Sequence, residues 1–188
     1  MSPRKTPFEI GNFYHCYSRG INKCLTFLDD SDYWYFLESI QFFNRKDRIP
    51  ETKRRRSNRN KIWKLVNDEP LVAIVAYCLM PNHFHFLLKE ITPDGISVFM
   101  QRLITGYTMH FKRKYDRSGG LFTRPFRSKH IPNDLYLREV FKYIHLNPSE
   151  LLGEEGDEGV ASYEFSSMPD YFGKRRPQGV LLSKALPW

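Results

Sequence analysis

The chain has 188 residues, 41% hydrophobic and 15% aromatic, which suits one domain with a substantial core and at most a tail. It carries no N-terminal signal pattern and no apolar run long enough to span a bilayer, so a cytoplasmic location is expected. The three cysteines, Cys16, Cys24 and Cys78, are odd in number and lack CxxC spacing, which argues against a disulfide frame or a zinc finger.

The formal net charge is +8 and its placement is uneven. The segment 45–64 holds ten Lys/Arg and two Asp/Glu, which equals the whole excess; the remaining nineteen of each sign cancel. Such a run attracts phosphate backbones and displaces their counterions. Taken alone, it is read equally well as a solvated linker.

In chain order, Phe13 to Asn22 predicts a strand ending in a turn at Gly20. Ser31 or Asp32 is the expected cap of a helix with Tyr33, Phe36, Leu37 and Ile40 at helical spacing. After the basic run, Leu71 to Met80 is continuously apolar and rich in Val and Ile, the pattern of a central strand buried on both faces. Pro81-Asn82 is a turn signal, and His83 to Glu90 predicts a second strand completing a hairpin. Asp94 or Ser97 caps a long helix to about Lys114, with Ile96, Met100, Leu103, Tyr107 and Phe111 as its buried stripe. Gly119-Gly120 turns into Leu121 to Ile131, a strand bent or edged by Pro125. Asn133 or Asp134 caps a last helix that Pro148 stops. An acidic, glycine-rich stretch and a weakly periodic tail follow.

Strand, helix, two strands, helix and strand form the β-α-β-β-α-β pattern of an α+β, ferredoxin-like (RRM-like) sheet, with an additional C-terminal helix. One sheet face then remains for a ligand or for that helix.

Within the hairpin, strand alternation places His83 and His85 on one face and Phe84 and Phe86 on the other. Neutral imidazole is the commonest protein metal ligand. On the last helix, Tyr143 and Asn147 are one turn apart, at the edge of an apolar stripe of Leu137, Phe141 and Ile144. His145, rotated about 200° from Tyr143, falls with Arg138 and Lys142 and reads as a surface histidine. His15, His110 and His130 have no comparable partner in the sequence.

The segment Tyr77 to Glu90, "YCLMPNHFHFLLKE", followed some sixty residues on by "YIHLNP", resembles the HUH single-tyrosine transposases. Within them it is most similar to the REP-associated tyrosine transposases, relatives of small insertion-sequence transposases that act on single-stranded DNA. "YSRGIN" and "LFTRPFRSKHI" fall where that family has a strand-turn and a basic strand. The resemblance spans about residues 13–148 and implies a catalytic domain over 1–150, with a basic insertion at about 45–66 and a C-terminal tail over 151–188. It implies His83, His85 and Asn147 as ligands of a divalent metal, Mg²⁺ or Mn²⁺, and Tyr143 as the nucleophile. "NPSELLGEEG" replaces the family's usual valine, basic residue and glycine after the tyrosine motif.

A phenol ionises near pH 10 and needs activation to attack. A divalent cation polarises a phosphate and stabilises the charge that develops on it. The implied reaction leaves a 5′-phosphotyrosine and a free 3′-hydroxyl, and so permits cleavage and rejoining without ATP. Lys53, Arg54, Arg55, Arg56, Arg59, Arg124, Arg127 and Lys129 are the candidate contacts to single-stranded or hairpin DNA, with Trp63 and the tyrosines available for base stacking. A monomer and a homodimer are both compatible with the sequence. The alternative is a non-catalytic nucleic-acid-binding module, but no RNP-type aromatic strand is present. A histidine phosphoesterase would need two HxT or HxS motifs, and the chain has none.

Overall fold

The computed structural model describes residues 7–47, 63, 69–153 and 156–183. Its elements run β1 (Phe13–Arg19), α1 (Asp30–Phe43), β2 (Val72–Met80), β3 (His83–Glu90), α2 (Gly95–Lys114), β4 (Arg127–Ile131) and α3 (Asp134–Leu146). Three short helices follow: α4 (Ser149–Leu152), α5 (Gly156–Ser162) and α6 (Met168–Tyr171). The sheet order is β2-β3-β1-β4, with every neighbouring pair antiparallel, as the β-α-β-β-α-β pattern requires.

Cross-strand pairing assigns the faces. Tyr17 pairs with His85 and Arg19 with His83 on one side of β1; Tyr17 pairs with Arg127 and His15 with Lys129 on the other. Directly opposed residues share a face. The two histidines, His15, Tyr17, Arg19, Arg127 and Lys129 therefore lie on one face. Tyr14, Cys16, Phe84, Phe86 and Leu88 lie on the opposite face and pack with α1 and α2 in the larger core. The predicted stripe of α2 is buried there in full. Trp63, a candidate for base stacking, is instead buried in this core.

Helix α1 begins slightly earlier than predicted. Asp29 is its cap, and Asp29 and Asp32 form a reciprocal capping box. Lys114 Nζ, at the end of α2, lies 2.8 Å from carboxylate oxygens of both aspartates, so one ammonium ties the start of α1 to the end of α2. The hydrogen bond from Lys114 holds the Asp29 carboxyl well below the usual carboxylate range.

The histidine face carries α3. Leu137, Val140 and Ile144 pack on Val75, Ala76, Cys78, Met80 and Leu87 in a second, smaller core. Asn133 caps α3 by accepting from the Tyr136 N–H, one of the two caps predicted.

Strand β2 is buried along its whole length, yet it is an edge strand rather than a central one. Its burial has another origin. The C-terminal segment lies along its outer edge: Leu79 N–H donates to Phe165 O (2.9 Å), Ser167 N–H to Tyr77 O (3.0 Å) and Ser183 N–H to Ile74 O (2.8 Å). Phe165 also stacks on Tyr33 of α1 at 4.1 Å between ring centroids. Apolar content reports burial, not strand order, so a covered edge and a central position look alike in sequence.

Candidate active site

Four of the predicted side chains meet where α3 crosses β3. Tyr143 stands half-exposed on α3, its ring edge-on to His85 at 5.6 Å between centroids. His83 and His85 stand perpendicular at 5.0 Å. Asn147, just past the last residue of α3, turns its amide so that Nδ2–H donates to the Tyr143 carbonyl at 2.8 Å. That bond caps the helix end, and it leaves Oδ1 facing His83 Nε2 at 3.4 Å.

The protonation of His83 follows from its other neighbour. Nδ1 is 2.6 Å from Asn82 Oδ1, an oxygen that only accepts, so Nδ1 carries the proton and Nε2 the lone pair. Burial, opposed by the Asn147 hydrogen bond and assisted by Arg19, lowers the His83 pKa from its ordinary value and so favours the neutral ring. In the neutral ring with its proton on Nδ1, two lone pairs, on His83 Nε2 and Asn147 Oδ1, face each other with no proton between them. This suits a cation. Their separation is close to the roughly 3 Å between adjacent ligands of an octahedral Mg²⁺. Among the described residues, no group of three His, Cys, Asp or Glu side chains forms a metal site by itself. Two imidazoles and an amide oxygen would leave coordination positions for phosphate and water.

His15, given no role from sequence, belongs to this cluster. Its Nε2 lies 2.8 Å from His85 Nδ1, and its ring is edge-on to Tyr143 at 5.8 Å. Both histidines are buried, and burial depresses both. Two imidazolium ions could not be held at this distance. The alternation of β1 and its pairing with β3 were the only signals that could have found His15.

Arg19 is the second residue missed. It pairs with His83 across the strands and lies close enough to lower the affinity of both His83 and His85 for protons. Of the predicted basic contacts, Arg127 and Lys129 are exposed on the histidine face, and Arg124 is exposed just before β4. Lys129 Nζ sits over the Tyr136 ring at 4.8 Å and depresses His15 through its charge. Lys53, Arg54, Arg55, Arg56 and Arg59 lie outside the described residues.

His145 is the clear correction. It is 1% exposed, not a surface residue. Its Nε2 lies 2.7 Å from Ser167 Oγ, and Phe141 and Tyr171 close around its ring. The C-terminal segment covers His145, while Arg138 and Lys142 stay exposed as expected.

Comparison with known proteins adds three findings. A family model described as "Transposase IS200 like" matches residues 42–147, more than half of the chain. The chain is similar in fold to a solved structure described as "Structure of the REP associates tyrosine transposase bound to a REP hairpin". The TM-score is 0.61 at 17% identity, covering 95% of this chain and 90% of that one. No curated protein matches.

Proposed function

The chain belongs to the IS200-like transposase family, and from that premise we propose that it is a metal-dependent single-stranded DNA endonuclease and strand transferase acting at hairpin DNA. The observation that carries this reading is the half-exposed Tyr143, one turn from Asn147, standing over the paired His83 and His85. In the proposed step, Tyr143 Oη attacks a backbone phosphorus. The Oη–P bond forms, the P–O3′ bond breaks, the phenolic proton leaves to water and the 3′-oxygen gains one. The product is a 5′-phosphotyrosine with a free 3′-hydroxyl. Reversal by another 3′-hydroxyl rejoins the strand.

His83, His85 and Asn147 would hold the divalent ion, Mg²⁺ or Mn²⁺. When bound, such an ion polarises the phosphate and stabilises the charge developing on its oxygens. The chain's own contribution is position. Helix α3 packs on the sheet through Leu137, Val140 and Ile144, which fixes Tyr143 above the histidines. Arg19, Arg127 and Lys129 would attract the backbone on the same face. The similar solved protein is described as bound to a REP hairpin, which favours a hairpin as the DNA partner.

The test is covalent trapping. The protein is incubated with labelled single-stranded hairpins from its genomic neighbourhood and Mg²⁺ or Mn²⁺, then denatured and run on a gel. A metal-dependent adduct is expected for the wild type and none for Tyr143→Phe, whose DNA affinity should stay within about threefold, since one exposed hydroxyl contributes little binding. An adduct of equal yield in Tyr143→Phe removes that residue from the chemistry. Absence of any adduct despite tight hairpin binding favours a DNA-binding protein that does not cut.

A further inference from the structure

We propose that His15 is a positioning residue that presents His85 to the metal, an inference that rests on the metal-site reading above. His85 Nδ1 is committed to His15 Nε2 at 2.8 Å, so only Nε2 of His85 is left to bind an ion. A ligand nitrogen must carry a lone pair. His85 Nε2 has one only when the His85 proton sits on Nδ1 and is donated to His15 Nε2. The reverse arrangement, with His15 donating, puts the proton of neutral His85 on Nε2 and blocks ligation. His15 therefore has to accept, with its own proton on Nδ1.

The neighbouring ligand is arranged alike. Asn82 Oδ1 accepts the Nδ1 proton of His83 at 2.6 Å and leaves its Nε2 aimed at Asn147 Oδ1. Each imidazole of the pair thus has an acceptor at Nδ1, one from the hairpin turn and one from the adjacent strand. Hydrogen bonds of this kind fix the orientation of ligating histidines and raise their basicity, and their loss typically costs 10–100-fold in metal affinity. His15 is suited to the task because it is held. It is buried beside Tyr17, whose ring lies 5.0 Å from its own, and it is paired with Lys129 across β1 and β4. A histidine serving only to fill the sheet surface would not need its Nε2 at hydrogen-bonding distance from a second buried imidazole.

The experiment measures Mn²⁺ affinity by electron paramagnetic resonance on DNA-free protein, so that it does not depend on cleavage. Wild type, His83→Ala, His15→Ala and His15→Gln are compared. We expect His15→Ala to weaken Mn²⁺ binding by about 10–100-fold. We expect His15→Gln, whose Oε1 can accept the same proton, to recover to within a few-fold of wild type. Equal affinity in wild type and His15→Ala, with His83→Ala impaired, overturns the role of His15 and leaves the metal site standing. Equal affinity in wild type and His83→Ala instead removes the metal-site reading itself. Loss of the same size in His15→Ala and His15→Gln overturns the hydrogen bond as the cause. Should the variants fail to fold, long-range ¹⁵N–¹H spectra of Mg²⁺-loaded wild type decide the matter. His85 protonated on Nδ1 and His15 unprotonated on Nε2 support the proposal, and the opposite tautomers overturn it.

Discussion

At the scale of single residues, burial of histidines makes the protein sensitive to acid. His145 is held neutral mainly by burial, its pKa lowered from 6.5 to about 4. Below pH 6.5 the unfolded chain takes up a proton that the folded chain refuses. Stability therefore falls as pH falls, by about 1.4 kcal/mol per pH unit for this group, until its folded value is passed near pH 4. His15 and His85, also depressed, act in the same direction. We expect urea unfolding at pH 7, 5.5 and 4.5 to show this loss, and His145→Gln to reduce the slope by about one proton. An unchanged slope would mean that His145 is not buried neutral. The contrast between His145 and Tyr143, two residues apart, shows what was legible. The helical period put Tyr143 and Asn147 at the edge of the sheet-facing side of α3, while their meeting with His83 and His85 was implied only by the family resemblance. What covers each face did not follow, because Ser167 and Tyr171 arrive from more than twenty residues along the chain. His15 escaped for the same reason: its partner is seventy residues away.

Among the elements, the clasp on β2 also reaches α3, adding a polar tie to its apolar packing on the sheet. Ser167 Oγ accepts the Tyr77 N–H at 2.9 Å and meets His145 Nε2 at 2.7 Å, so one hydroxyl joins the C-terminal segment, the edge strand and the tyrosine helix. Replacing Ser167 by Ala leaves two buried polar groups without this partner, at a cost of about 1–3 kcal/mol. We expect a lowered Tm by calorimetry. We also expect a smaller loss of adduct yield at temperatures well below that Tm, because the Tyr143 face of α3 keeps its apolar packing. A Tm equal to wild type would show that the Ser167 hydroxyl contributes nothing to the clasp. The strands, the hairpin and all three long helices were readable from periodicity and turn residues, since those signals are local. The position of β2 at the edge was not. An edge strand closed by a later segment carries the same Val- and Ile-rich run as a central one, and the covering segment, Tyr163 to Ser167, has little period of its own.

For the whole molecule, the question is how DNA would be drawn to so small a site. The chain's excess of +8 equals the excess of residues 45–64 alone, so the rest of the chain supplies local cations without net charge while this basic run supplies the net field. Arg19, Arg127 and Lys129 lie on the histidine face and, in the proposed function, would orient a backbone there. The two groups should therefore fail differently. Neutralising Lys53, Arg54, Arg55, Arg56 and Arg59 together is expected to weaken hairpin binding and to flatten the dependence of log Kobs on log salt. The slope should fall by up to about 0.7 for each single-strand phosphate that no longer meets a cation, or about 3.5 if each of the five side chains neutralises one. Adduct yield at saturating DNA should change little, because cations that only recruit DNA are dispensable once binding is complete. Arg127→Gln with Lys129→Gln should lower the slope by at most about 1.4 but reduce adduct formation at saturation, since these two cations share the sheet face over which Tyr143, the proposed nucleophile, stands. Fluorescence anisotropy across a salt series, paired with trapping at saturating hairpin, separates the two effects. An unaltered slope after neutralising these five residues would make 53–59 a linker and leave the sheet face as the main electrostatic surface for DNA.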